Sequence, residues 1–479
     1  MSRPNVVFIM SDDHAAHAIS AYGSRINQTP HLDRLAQDGM RFDAAFCTNS
    51  ICTPSRAAVL TGQHSHVNGV RSQGDRLDGR RQTFPQLLQG SDYQTALFGK
   101  WHLGHGGNAD PTGFDTWSIL PGQGDYVDPV LIENGTERQH TGYVTDLLTD
   151  MSLEWLDQRD QDRPFLLCLH HKAPHRWWVP ADRHADLYSE DREEPETLDD
   201  DYSTRASAAR RARMRIDRDL TAKDVKAEPP ADLDGEDRRR WFYQRYIKDY
   251  LRCVAAVDDS VGRVLDYLDA HDLTEDTIVV YTSDQGFFLG DHGWYDKRFM
   301  YDESLRIPLL MRYPARIAAG STSDALVQNI DFAPTFAELA GLQPVEPMNG
   351  ASLTPIFDQA EPADWRAAAY YRYWEHDSIP HRVAAHCGIR TRTHKLVHYY
   401  GRGLGVPRAS DTPTDPEWEL FDLIADPHEL HNLYDRPGHE ELTEELTRTL
   451  SEVRAEIGDD SLTRPIPDAA DTSPLEAQR

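Results

Sequence analysis

The sequence predicts an α/β fold: a large, mostly parallel sheet with helices on both faces, plus a smaller C-terminal α+β subdomain with an antiparallel sheet. Three observations carry this expectation. Short apolar runs, of the length of strands buried on both faces, recur along the first two thirds of the chain. Helical patterns lie between them, the alternation that builds parallel sheets. From about residue 365 the texture changes to alternating apolar and polar residues, the mark of antiparallel strands.

The runs are NVVFIM (5–10), QTALFG (94–99), PFLLCLHH (164–171), DTIVVYTSD (276–284) and IPLLMRYP (307–314). Among the helical patterns, TPHLDRLAQDG (29–39) places Leu32 and Leu35 at helical spacing, with Gly39 as a stop. A longer pattern repeats Leu251, Val254, Val257, Val261, Val264, Leu265 and Leu268 along one helix face. Residues 189–240 are charge-dense and poor in aromatics, which reads as a surface insertion, partly helical or mobile. AAYYRYWE, HCGIRTRTHKLVHYY and EWELFDL then alternate as strands, and HEELTEELTRTLSEVRAEIG closes as a helix. The expected division is a main domain over 1–360, a subdomain over 361–460 and a tail over 461–479.

Composition excludes several classes. No apolar run approaches the roughly 18–20 residues that span a bilayer, and the start, MSRPNVVFIMSDD, lacks the long apolar region of a signal peptide. The expected location is therefore cytoplasmic, away from a membrane. Five scattered cysteines (47, 52, 168, 253, 387) without a C-x-x-C pair speak against a disulfide framework or a zinc site. A formal charge of −29 repels nucleic acid, and it repels an anionic substrate too unless a local cluster of cations overrides the field.

Functional groups gather where the strands end. The first strand runs into Asp12-Asp13 and a later one into Asp284-Gln285. Three carboxylates and an amide at equivalent positions make a hard oxygen cage of the sort that holds Ca²⁺ or Mg²⁺. Another strand runs into GKWHLG, with Lys100 and His102, and a fourth into HHKAPHRWW, with Lys172, His175 and Arg176. The stretch after Gln285 adds His292, Lys297 and Arg298. Basic clusters after several strands of so acidic a chain outline an electropositive pocket beside a divalent cation, suited to a tetrahedral anion.

The segment Cys52-Thr53-Pro54-Ser55-Arg56, followed by AAVLTG, resembles the signature of the formylglycine-dependent (type I) sulfatases of the alkaline phosphatase-like superfamily. The match continues in that family's order through Asp-Asp, Gly-Lys-Trp-His, Lys-Ala-Pro-His and Ser-Asp-x-Gly…Lys, and EWELFDLIADPHELHNL resembles its C-terminal subdomain. Gln285 stands where many members carry Asn or His, and it keeps the amide oxygen. The resemblance implies that Cys52 is oxidised to Cα-formylglycine by a separate formylglycine-generating enzyme, and that its hydrate is the nucleophile. It also implies that Asp12, Asp13, Asp284 and Gln285, together with residue 52, bind a cation, Ca²⁺ first and Mg²⁺ second. Arg56 would hold the formylglycine, Lys100 and Lys297 would clamp sulfate oxygens, His102 would deprotonate the second hydroxyl, and His175 would protonate or orient the leaving oxygen.

HKAPHRWW and SDQGFFLGDHGWYDKRFMYDESLRIP resemble the bacterial branch that acts on polysaccharide and glycosaminoglycan sulfates, including N-acetylglucosamine-6-sulfate. The expected substrate is accordingly a sulfated mono- or oligosaccharide. Trp101, Trp177, Trp178 and Trp294 are candidates for stacking on sugar faces, and Arg176, His292, His381, Arg382 and His386 for substrate contacts. Two other readings stand beside this one: a phosphonate or phosphate ester hydrolase of the same superfamily, and an inactive sugar-sulfate binding protein whose Cys52 is never modified.

Overall fold

The computed structural model describes residues 3–344, 346–359 and 361–462; the expected tail lies, from residue 463 on, outside them. The main sheet contains β1 (Asn5–Ser11), β2 (Met40–Phe42), β3 (Gln94–Gly99), β4 (Thr116–Ile119), β5 (Val130–Glu133), β6 (Thr136–Gln139), β7 (Phe165–His170), β8 (Thr277–Ser283), β9 (Leu309–Arg312) and β10 (Ser321–Ser323). Their order across the sheet is β10-β2-β9-β8-β1-β7-β3-β4-β5-β6. The central five, β8-β1-β7-β3-β4, run parallel. All five apolar runs of the sequence form strands, and the last of them, β9, lies antiparallel to β8.

Alternate residues of β1 enter two different cores, as a strand buried on both faces requires. Val6, Phe8 and Met10 pack with Ala57 and Val59 of one helix, α2 (Cys52–Thr61), and with Phe332 and Phe336 of another (Phe332–Leu339). Val7 and Ile9 point the other way, onto Leu32 and Leu35 of α1 (Pro30–Gln37), Leu148 of α3 (Val144–Gln158), and Val254, Val257, Val261 and Leu265 of α4 (Gly235–Ala270). All seven apolar positions of the long repeat are fully buried on α4.

A second sheet is antiparallel throughout, in the order β11 (Ala369–Tyr373), β12 (His386–Arg390), β13 (His394–Tyr399), β14 (Glu417–Asp422). Its period-2 pattern divides the side chains. Tyr370, Ile389, Leu396 and Leu420 pack under Leu446 and Leu450 of the last helix, Glu440–Glu456. Tyr371, Tyr373, Val397, Tyr399 and Phe421 join the core of the main sheet.

Residues 189–240, expected as a charged surface insertion that is partly helical or mobile, carry short helices. Short helices at Ser207–Arg211, Ile216–Asp219 and Ala222–Val225 bury Ala208, Ala209, Ile216 and Val225. Small apolar residues set among the arginines supply the packing, and ion pairs such as Arg205 with Asp200 neutralise the charge. Among the described residues no helix is long and apolar enough to cross a membrane.

Candidate active site

Because β8, β1, β7 and β3 are neighbours and parallel, their carboxyl ends bring Asp284-Gln285, Asp12-Asp13, Lys172-His175 and Lys100-His102 to one rim of the sheet. The N-terminus of α2 delivers Cys52 to the same place, and every residue of that ten-residue helix is buried.

One ligand atom from each of Asp12, Asp13 and Asp284 lies within 4.8 Å of the others, and the same holds for Asp12, Cys52 and His175. A cation faces each carboxylate. Lys100 pairs with Asp12. Lys297 Nζ lies 2.6 and 2.7 Å from the two oxygens of Asp13. Arg56 donates from Nε to Asp284 Oδ2 at 3.0 Å, and from Nη1 to the Lys100 carbonyl at 2.6 Å. The Gln285 amide nitrogen donates to Asp13 Oδ1 at 2.6 Å, while its oxygen is buried with no hydrogen-bond partner. Hard oxygens that converge in a buried site, with an orphaned amide oxygen beside them, fit a divalent cation held by carboxylates. The cluster can coordinate one.

Burial raises the Asp13 carboxyl to about 6 against the opposing pull of Lys297. It also pushes the Cys52 thiol up to about 11, with Lys297 again opposing. Burial drives Lys100, His102 and His175 well below their usual values; neighbouring cations add to this for the two histidines, while for Lys100 Asp284 opposes it and Lys172 and Lys297 add to it. His175 Nδ1 is 2.6 Å from the Arg176 carbonyl, which can only accept, so Nδ1 carries the proton. Its Nε2 therefore turns a lone pair toward the cluster, 3.8 Å from Asp13 Oδ2. His102 touches Thr53 Oγ1 and the Gln123 side chain, each at 3.3 Å.

The structure thus brings Asp12, Asp13, Cys52, Arg56, Lys100, His102, His175, Asp284, Gln285 and Lys297 together. The other candidates have partners elsewhere. Arg176 pairs with Asp224 at 2.5 Å and lies over the Tyr295 ring. His381 faces Asp296 at 3.1 Å, and Arg382 pairs with Asp377 at 2.7 Å. His386 is fully buried among Tyr371, Tyr373 and Tyr399, with Nδ1 on the Ala384 carbonyl, a core position rather than a pocket wall. Trp178 and Trp294 are fully buried and Trp101 nearly so, which removes their faces from any sugar; Trp177 is 45 % exposed. Two neighbours went unassigned from sequence: Lys172, quoted there without a role, and Gln123, which no motif covered.

His292 is also a core residue. Its Nδ1 is 2.9 Å from Asp200 and its Nε2 3.8 Å from Glu303. Burial opposes its charge, but the two carboxylates win and raise it to about 9. A histidine raised on folding stabilises fully below its unfolded value of about 6.5, and that contribution is lost as pH rises through 9. Urea unfolding of the wild type is expected to show roughly 3 kcal/mol less stability at pH 9.5 than at pH 6.5. That slope should flatten in His292→Gln, and an unchanged slope in the variant would refute the assignment.

A cation cage beside a residue at a helix N-terminus, with lysines facing it, on a mostly parallel sheet, is the architecture of the alkaline phosphatase-like ester hydrolases. The sulfatase family profile matches residues 4–342, and the profile of the C-terminal region of N-sulphoglucosamine sulphohydrolase matches 290–456. The chain belongs to the sulfatase family and is a sulfuric ester hydrolase. It is 42% identical over 503 aligned residues to an N-acetylglucosamine-6-O-sulfatase of Bacteroides thetaiotaomicron, covering 95% of this chain and 87% of that one. The N-acetylglucosamine-6-sulfatase of Capra hircus is 28% identical over 90% of this chain and 80% of its own. Among solved structures, BT4656 in complex with its substrate D-glucosamine-2-N,6-O-disulfate superposes with a TM-score of 0.89 at 41% identity, covering 98% of this chain and all of that one. A phosphonate monoester hydrolase of Agrobacterium radiobacter, at 22% identity and a TM-score of 0.75 over 95% of this chain and 96% of its own, shares the fold.

Proposed function

We propose that this sulfatase removes the 6-O-sulfate from an N-substituted glucosamine, alone or at the end of a short oligosaccharide, using a formylglycine made from Cys52 and a bound Ca²⁺. The observation that carries this reading is the convergence of Asp12, Asp13 and Asp284, with Cys52 grouped beside Asp12 and His175 and three buried cations around the carboxylates. The substrate class is supported by the name of the 42%-identical N-acetylglucosamine-6-O-sulfatase and by the glucosamine disulfate bound in the 41%-identical solved structure.

Asp12, Asp13, Asp284 and the Gln285 amide oxygen would hold the calcium ion. Bound there, the ion would supply Lewis-acid polarisation and lower the pKa of a hydroxyl, and the formylglycine hydrate would supply that hydroxyl. The remaining roles fall to this chain's own groups. Arg56 ties Asp284 to the Lys100 carbonyl and fixes the spacing between cage and clamp. Three carboxylates and three cations balance in charge, so a divalent ion shared by the carboxylates would leave Lys100 and Lys297 free to face a sulfate group. Positive charge aimed at oxygens that become more negative in the transition state is where such sites gain most. His102, neutral and with Nδ1 toward Thr53, would accept the proton from residue 52 on Nε2, the ring nitrogen that carries none. His175 keeps its own proton on the Arg176 carbonyl, so Nε2 must gain one before it donates to a leaving alkoxide. An approaching anionic substrate favours that gain, and acid help of this kind is worth about 10²–10⁴ in rate.

The test is a panel of glucosamine and N-acetylglucosamine sulfated at O3 or O6, with and without N-sulfate, alongside phenylphosphonate esters and with released anion detected. Sulfate release from the 6-O-sulfated sugars alone is expected. Preference for another ring position would overturn the substrate assignment, and faster phosphonate turnover would overturn the choice of ester.

A further inference from the structure

We propose that Gln123 is a positioning residue that fixes Lys100 and His102 relative to each other; this rests on the sulfatase reading of the site. Gln123 follows β4, at the fifth parallel strand end of the same rim. Its side-chain oxygen accepts from Lys100 Nζ at 2.5 Å, and its amide nitrogen lies 3.3 Å from His102 Nε2. Its own carbonyl accepts from Lys172 Nζ at 3.1 Å. Among the described residues it is the one side chain that hydrogen-bonds both a lysine and a histidine of the site.

The turn is built to present it. Gly122 and Gly124 flank Gln123 with φ of 54° and 65°, in the left-handed region where side chains are disfavoured. A Cβ on Gly124 would fall 2.5 Å from Leu120 Cδ2. The segment is tied back to the sheet by Leu120 N–H on the Gly99 carbonyl, one residue before Lys100. Gln123 is thus referenced to the strand that carries the two residues it holds.

An amide is the side chain that suits both contacts. Lys100 already pairs with the Asp12 carboxylate, and the amide adds a second acceptor without a second negative charge. The Gln123 NH₂ can only donate, so His102 Nε2 is the acceptor and the imidazole proton sits on Nδ1, toward Thr53 Oγ1. The contact therefore selects the neutral tautomer in which Nε2 is free of a proton.

Two variants of matched size separate positioning from space-filling. Gln123→Met keeps the volume and loses both hydrogen bonds; Gln123→Glu keeps the shape and the Lys100 contact but adds a charge and cannot donate to His102. Both are expected to lower kcat roughly 10- to 100-fold, with KM changed less than threefold and the melting temperature within a few degrees of wild type. An aryl sulfate is run beside the sulfated sugar, so the outcome is readable whichever sugar the enzyme takes. Failure of wild type on glucosamine sulfates alone would count against the substrate reading only. Retention of wild-type kcat by Gln123→Glu, or a loss confined to KM, would overturn the positioning role. If Gln123→Met is unstable, Gln123→Glu decides.

Discussion

Cys52→Ala is expected to abolish sulfate release while leaving the fold in place. The side chain is fully buried at the start of α2, and exchanging its sulfur for hydrogen removes one buried atom, a stability cost of about 1 kcal/mol. The effect on rate is of another order. Deletion of a covalent nucleophile from a site that otherwise stays assembled costs roughly 10⁴–10⁶-fold in kcat. The same experiment tests the modification. Intact mass of active wild-type protein should fall about 18 Da below the value for an unmodified cysteine, and specific activity should scale with the shifted fraction. Full activity at the unshifted mass would reject the formylglycine assignment, and a chain that binds sulfated sugars without turnover at that mass would be a binding protein.

Prolonged chelation is expected to have the second largest effect. The cage carboxylates are buried, and each already faces a cation of the protein. Without a divalent ion those pairings would hold Lys100 and Lys297 on carboxylates and away from an incoming sulfate. Activity should fall at least 100-fold, because the clamp and the hydroxyl activation are lost together, an electrostatic contribution of about 3–4 kcal/mol. Added Ca²⁺ should restore the rate. A site filled at a thousandfold excess over its dissociation constant contributes about 4 kcal/mol, so the melting temperature should drop and recover in step. Undiminished turnover by protein shown to be free of metal would reject the cage.

Much of this was legible in the sequence because it is local. The strand runs and the groups that follow them are contiguous, so once the runs pair in parallel the order Asp12-Asp13, Lys100-His102, Lys172-His175, Asp284-Gln285 places itself on one rim. The long helix was legible for the same reason: seven apolar residues at helical spacing found one core. What stayed hidden depends on contacts distant in sequence. His292 and His386 look like pocket residues until Asp200 and Glu303 surround one and three tyrosines enclose the other. The charge-dense stretch at 189–240 reads as surface because charged residues of both signs dominate its composition, although Asp224 and Arg205 are buried against partners. Gln123 carried one signal, a glutamine between two glycines after a strand, and only the fold shows which residues it would meet.

On the formylglycine reading, the burial of all ten residues from Cys52 to Thr61 would constrain when the protein could mature. A second enzyme that reads Cys-Thr-Pro-Ser-Arg needs that peptide extended and reachable, and in the finished molecule it is wound into a helix and sealed under the sheet. The oxidation proposed above would therefore have to precede closure, on the nascent or unfolded chain. Competent protein would then be the outcome of a race during biosynthesis: slower synthesis or lower temperature should raise the converted fraction, and once the chain has folded no excess of the maturing enzyme should rescue the remainder.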